Sequence, residues 1–229
     1  MKRITLSLLS LQLLAGLLMA ADVAVNIGET SLTIPTPRGY VPVTKEMAAL
    51  DRDLEDFVAP QNTRLVSFIP EQYLPAVQRG EIPAMARTVS VQTNKKTVPS
   101  TITSSEFARF KDIVRRQNDE LIQKAEKEMP GLMDKASKKI NDQFNTDLTM
   151  NLSSMVPFPP HDESDRSLSF SMLLHYSIKN AAGRSTNGVG YVTTTFLHAR
   201  GKLFSSTSTA TGRTWTGRGS FQKTGPPPF

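Results

Sequence analysis

An α+β fold is what the sequence predicts: one domain in which an antiparallel sheet is flanked by two or three helices. Three observations carry that expectation. Apolar residues alternate with polar ones over Leu168 to Ile178 and again over Tyr191 to Ala199, with Gly- and Asn-rich turn material from Asn180 to Gly190 between them, which predicts a long hairpin. Earlier the period is that of a helix, with Phe107, Phe110, Ile113, Val114, Leu121 and Ile122 on one stripe. Finally, 229 residues with 38% hydrophobic and 21% charged content suit one domain, and exclude both wholesale disorder and a polytopic membrane protein.

Taken in order, residues 1–21 read as a signal peptide: a basic start at Lys2 and Arg3, an apolar run from Ile4 to Met19, then Ala20-Ala21 before Asp22. The large residues near the cleavage point keep a retained anchor as the alternative. The domain is predicted over 22–204. Two short alternating runs between Val23 and Ile34 form a hairpin around Gly28-Glu29-Thr30. Thr44 is expected to cap a helix that buries Met47, Leu50, Leu54 and Phe57. Arg64–Ile69 and Met85–Val91 read as strands around a Pro-punctuated segment. Thr103 with Glu106 matches a capping box at the start of the long helix. Pro130-Gly131 is expected to interrupt it, after which Leu148, Met150 and Leu152 alternate as a further strand.

After Phe204 the apolar alternation stops, so residues 205–229 read as a low-complexity tail. A second reading comes from the genetic code. One frame over, the codons from Ser205 onward permit a closing strand and an amphipathic helix, and force one aspartate across Trp215 and Thr216. A frameshift is therefore the alternative to a genuine tail.

Composition narrows function mostly by exclusion. Zero cysteines remove disulfides, thiolate metal sites, cysteine nucleophiles and lipoprotein attachment. Such an exported chain suits a bacterial periplasm. Without Lys2 and Arg3 the formal charge falls from +6 to +4, and Arg213, Arg218 and Lys223 hold most of the remainder near the end. With no compact basic, aromatic-interleaved face, no nucleic-acid partner is expected.

The order of elements, with the entry Leu32-Thr33-Ile34-Pro35-Thr36-Pro37-Arg38-Gly39-Tyr40, resembles the PsbP-like fold of the photosystem II extrinsic protein, the Ran-binding Mog proteins and uncharacterised exported bacterial proteins. The resemblance covers roughly residues 23 to 204. It implies a non-enzymatic binding or assembly factor.

No nucleophile elbow, dinucleotide fingerprint, P-loop or zincin motif occurs. Gly183 to Gly188 reads as a hairpin loop, not a phosphate loop. The carboxylates from Asp51 to Asp56 read as the wet face of a helix. Ser169, Ser171 and His175, on one strand face, are the first candidates for catalysis. His161, Asp162, Glu163 and Asp165 form a loop cluster that could hold a divalent ion. His175 and His198, on adjacent strands, could share a ligand. No cofactor is expected. The functional expectation is an exported, periplasmic, non-enzymatic binding or assembly accessory whose partner is a protein or small molecule of the cell envelope. Membrane contact is expected only through an uncleaved signal segment. The alternative is an exported hydrolase with no recognisable motif.

Overall fold

The computed structural model describes residues 22–83, 85–116 and 147–211, with scattered positions between 120 and 142. The predicted signal peptide therefore lies outside the described residues, as do residues 212–229.

The fold is α+β, an antiparallel eight-stranded sheet with a separate two-stranded hairpin and flanking helices. Strands β1 (Val23–Ile27) and β2 (Thr30–Ile34) form the hairpin. Gly28 at its turn has φ of 60°, a conformation that favours glycine. The large sheet comprises β3 (Tyr40–Pro42), β4 (Asn62–Pro70), β5 (Arg87–Asn94), β6 (Thr149–Pro157), β7 (Asp162–Glu163), β8 (Ser167–Lys179), β9 (Ser185–Ala199) and β10 (Lys202–Thr211). Its spatial order is β3-β4-β5-β10-β9-β8-β6, with β7 also beside β8.

Helices α1 (Ala48–Asp56) and α2 (Leu74–Gln78) cover β3 and β4 through Leu50, Val77 and Ile69, while α3 (Ser104–Arg116) packs on β9 through Phe107 and Phe110. Register places all three on one face. Ser67, Ser90, Thr207, Thr194 and Phe170 are successive cross-strand partners, and the ring of Phe196, two residues from Thr194, meets Phe110 of α3 at 4.8 Å. The opposite face is covered at its β4–β5–β10 end by the hairpin, where Val25, Ile27, Leu32 and Ile34 bury Val66, Phe68, Val91 and Phe204.

The predicted capping box is present. Thr103 N–H donates to Glu106 Oε2 at 2.7 Å, and Glu106 N–H donates to Thr103 Oγ1 at 3.2 Å. Other local expectations need correction. Helix α1 starts at Ala48, not beside Thr44, and Phe57 ends it 60% exposed. Pro130 and Gly131 are themselves helical. Ser185 to Gly190 belongs to β9, so the hairpin loop is only Asn180–Arg184, closed by Lys179 opposite Ser185.

The largest correction concerns the strand read as ending at Phe204. Strand β10 continues to Thr211 and pairs on both sides, with β5 from Ser205 to Ala210 and with β9 throughout. Its Ser and Thr residues show no apolar alternation, yet β-branched Thr fits a pleated strand well. Two neighbours satisfy its backbone. The low-complexity tail read from residue 205 therefore does not begin there: Ser205 to Thr211, as written, belong to the sheet.

Candidate functional site

Beyond the hairpin's cover, the sheet changes character row by row. Val66 pairs with Val91, Val91 with Ser206, Ser206 with Thr195, and Thr195 with Ser169. The next row runs Phe68, Val89, Ser208, Thr193, Ser171. In these two rows apolar side chains thus give way to hydroxyls at Ser206 and Ser208 of β10. Ser169 Oγ lies 2.8 Å from Thr195 Oγ1, and Ser171 Oγ lies 2.8 Å from Thr193 Oγ1. Ser169 is 4% exposed and Ser171 0%, so the odd-numbered side of β8 is not the wet side that the alternation predicts. Both faces of the strand's first half are covered, and the buried hydroxyls satisfy one another.

The segment after β6 folds back along β8. Phe158 N–H donates to the Ser171 carbonyl at 2.8 Å and His161 N–H to the Ser169 carbonyl at 3.1 Å. This brings His161 Nε2 to 2.8 Å from Ser171 Oγ. A hydroxyl beside an imidazole is the beginning of a nucleophile–base pair. Here it stops at two members, because among the described residues no carboxylate bonds the His161 ring. Ser171 Oγ, enclosed by Thr193 and His161, also offers no surface to a reacting carbonyl.

His175 shares the face of Ser169 and Ser171 but sits four residues from Ser171, about 13 Å along the strand. The histidine that reaches Ser171 is His161, a loop residue whose expected role was metal ligation alone, and no strand periodicity could have revealed the contact. Of the predicted metal cluster, Glu163 turns to α3. Its Oε1 accepts from Lys111 Nζ at 2.9 Å and from Arg115, whose guanidinium, with Lys111, holds the carboxyl below the usual carboxylate range. Lys111, 8% exposed, also donates to the Ser164 carbonyl at 2.6 Å and ties the segment to α3. His161, Asp162, Glu163 and Asp165 do not converge; among the described residues no group of three or more His, Asp or Glu is placed to hold a metal ion.

His175 pairs with Val189, whereas His198 pairs with Leu203. His198 bonds the Ile102 carbonyl through Nε2 at 2.7 Å and stacks on Phe107 at 5.3 Å, so the two histidines share nothing. The acidic stretch of α1 is not simply a wet face: Asp51 and Glu55 take Arg64 of β4 at 2.5 and 2.8 Å. Their role is to fasten the helix to the sheet. Gly183 lies in the hairpin loop, as predicted.

What sequence reasoning missed is a surface. On the side of β6, β8 and β9 away from α3, Val156, Phe158, Val189 and Tyr191 are 42%, 37%, 37% and 40% exposed. Val156, Leu173 and Tyr191 are cross-strand neighbours, and the Phe158 and Tyr191 rings lie 6.4 Å apart at 43°. The available signal was the alternation at Asn187, Val189 and Tyr191, around two glycines. Gly188 is buried because the Tyr176 ring lies over it, where an added Cβ would come within 2.4 Å of Tyr176 Cζ. No helix among the described residues is long and apolar enough to cross a membrane. No family model and no curated protein matches this chain.

Proposed function

We propose that this chain is an exported, non-enzymatic binding or assembly accessory of the bacterial envelope, on a PsbP-like fold. The observation that supports this most is the exposed set of Val156, Phe158, Val189 and Tyr191 on one sheet face. Grouped apolar side chains left to water mark interaction sites more often than singly scattered ones do. The sequence adds the apolar leader of residues 1–21 and the resemblance of the entry segment.

A hydrolase is the second reading, and the Ser171–His161 pair is what favours it. Profiling the purified protein against ester, peptide and glycoside substrates separates the two. The accessory reading predicts no turnover above background. Robust turnover lost on His161→Ala or His175→Ala overturns it. Export has its own test in the mass of the mature N-terminus. A start at Ala21 or Asp22 supports release, and an intact Met1 supports an envelope-tethered protein.

A further inference from the structure

The segment between β6 and β8 is held to the fold differently from the strands it joins. Pro157, Pro159 and Pro160 carry no N–H, so over residues 157–161 only Phe158 and His161 can donate to β8. Every residue from His161 to Arg166 is exposed, and none is a large apolar side chain that a core could grip. The remaining anchors are polar. Glu163 meets Lys111 and Arg115 of α3, the Ser164 carbonyl meets Lys111, and the His161 ring meets Ser171. At the far end the Arg166 carbonyl accepts from His198 N–H at 2.9 Å. Polar attachment with few buried apolar contacts marks a unit that opens well below global unfolding.

The charge on Glu163 couples these anchors. Lys111 is 8% exposed, and beside a neutral Glu163 its ammonium would keep the Ser164 carbonyl but no counter-charge. A buried charge stripped of its partner is costly, and lifting the segment lets water reach it. Among the described residues, the other charged groups here are Asp112 of α3, paired with Arg115, and Asp162, Asp165 and Arg166 of the segment itself. Strand β8 contributes no charge from Ser167 to Leu174, and the His198 ring of β9 is committed to the Ile102 carbonyl. Arg115 and Lys111 hold the Glu163 carboxyl below the usual carboxylate range, so the clasp is intact at neutral pH and weakens as pH falls through that lowered value.

We propose that residues 158–166 form a strap that lifts from α3 and β8 as one unit when Glu163 loses its charge, uncovering Ser171. The carbonyls of Ser169 and Ser171 are then left on an open sheet edge.

The test is native-state amide exchange of the full chain at pH 7, read residue by residue by NMR, with Glu163→Gln as the neutral clasp. The Phe158, His161 and His198 amides should exchange faster by one common factor, about tenfold or more, for the loss of a charge-assisted pair. The Val43 amide, bonded to the Ser67 carbonyl at the far edge of the sheet, should keep its rate. Because the chain has no cysteine, Ser171→Cys adds a single thiol at a site with no exposure, and its alkylation should accelerate likewise when Glu163→Gln is added. In the parent protein, protection of the same three amides should fall as pH drops below the ordinary carboxylate pKa of about 4.3, with Val43 still protected. Unchanged rates for the three amides in Glu163→Gln, or constant protection in acid, overturn the proposal. Unequal factors mean separate fraying, and equal acceleration at Val43 means general loosening; either overturns it. Alkylation at position 171 indifferent to Glu163→Gln shows that the strap covers nothing there, and overturns it too.

Discussion

Two glycines of β9, Gly188 and Gly190, lie two residues apart on the same strand face, and adding a methyl group at each should have opposite effects. At Gly188 the new Cβ would lie 2.4 Å from Tyr176 Cζ and 2.6 Å from Cε2 and Oη. Such distances cannot be accommodated unless the ring moves. At Gly190 the nearest atom is Leu174 Cβ at 3.6 Å, an ordinary contact. Replacing glycine in a strand lowers the entropy of the unfolded chain and stabilises by about 0.4–1 kcal/mol where nothing clashes. Gly190→Ala should show this gain. Overpacking costs about 1–3 kcal/mol, so Gly188→Ala should be destabilised by a net ~1–2 kcal/mol, toward the low end if the half-buried ring swings away. Urea melts followed by circular dichroism give both midpoints. Adding Tyr176→Ala to each variant completes a double-mutant cycle. The clash predicts that Gly188→Ala becomes harmless in that background, while Gly190→Ala, whose Cβ makes only an ordinary contact with Tyr176 Cε1 at 3.7 Å, changes little. Equal midpoints for the two single variants would refute the assigned register of β8 on β9.

Three further outcomes follow from the packing. Leu168→Ala, at a site with no exposure, should cost about 2–5 kcal/mol, and Phe170→Ala, only partly buried, should cost less; urea midpoints rank them. Ser169→Ala removes the bond to Thr195 and should cost about 1 kcal/mol, where a solvent-facing serine would cost almost nothing. Thr103→Ala breaks the capping box and should lower stability by about 0.5–2 kcal/mol, readable as a shift of the thermal midpoint. For pH, the Glu163 carboxyl is held low by Arg115 and Lys111, so its stabilising effect is full above the ordinary carboxylate pKa of about 4.3 and is lost as pH falls through the lower folded value. Glu163→Gln should therefore lower stability at pH 7 and narrow its gap to the parent protein in acid. A gap that stays constant from pH 7 to pH 2 would contradict this.

By itself the sequence determined the α+β class, the capping box at Thr103 and Glu106, and the β8–β9 hairpin. Each is a local matter: a two-residue apolar period, a hydroxyl three residues before a carboxylate, a Gly-rich turn. Strand β10 shows where local reading ends. Ser205 to Thr211 carries no hydrophobic signal, and its strand conformation is decided by β5 and β9 on either side. The faces were decided in the same way. Alternation says that Ser169 and Ser171 oppose Leu168 and Phe170, but not that a loop ten residues upstream lays His161 over Ser171. Nor could spacing show that Glu163 pairs across the fold with Lys111 and Arg115, or that Asp51 and Glu55 of α1 clasp Arg64. The exposed apolar face is a property of tertiary structure for the same physical reason. Whether a side chain meets solvent depends on what is packed over it, and the hairpin reaches Val66 and Val91 but leaves Tyr191 to water.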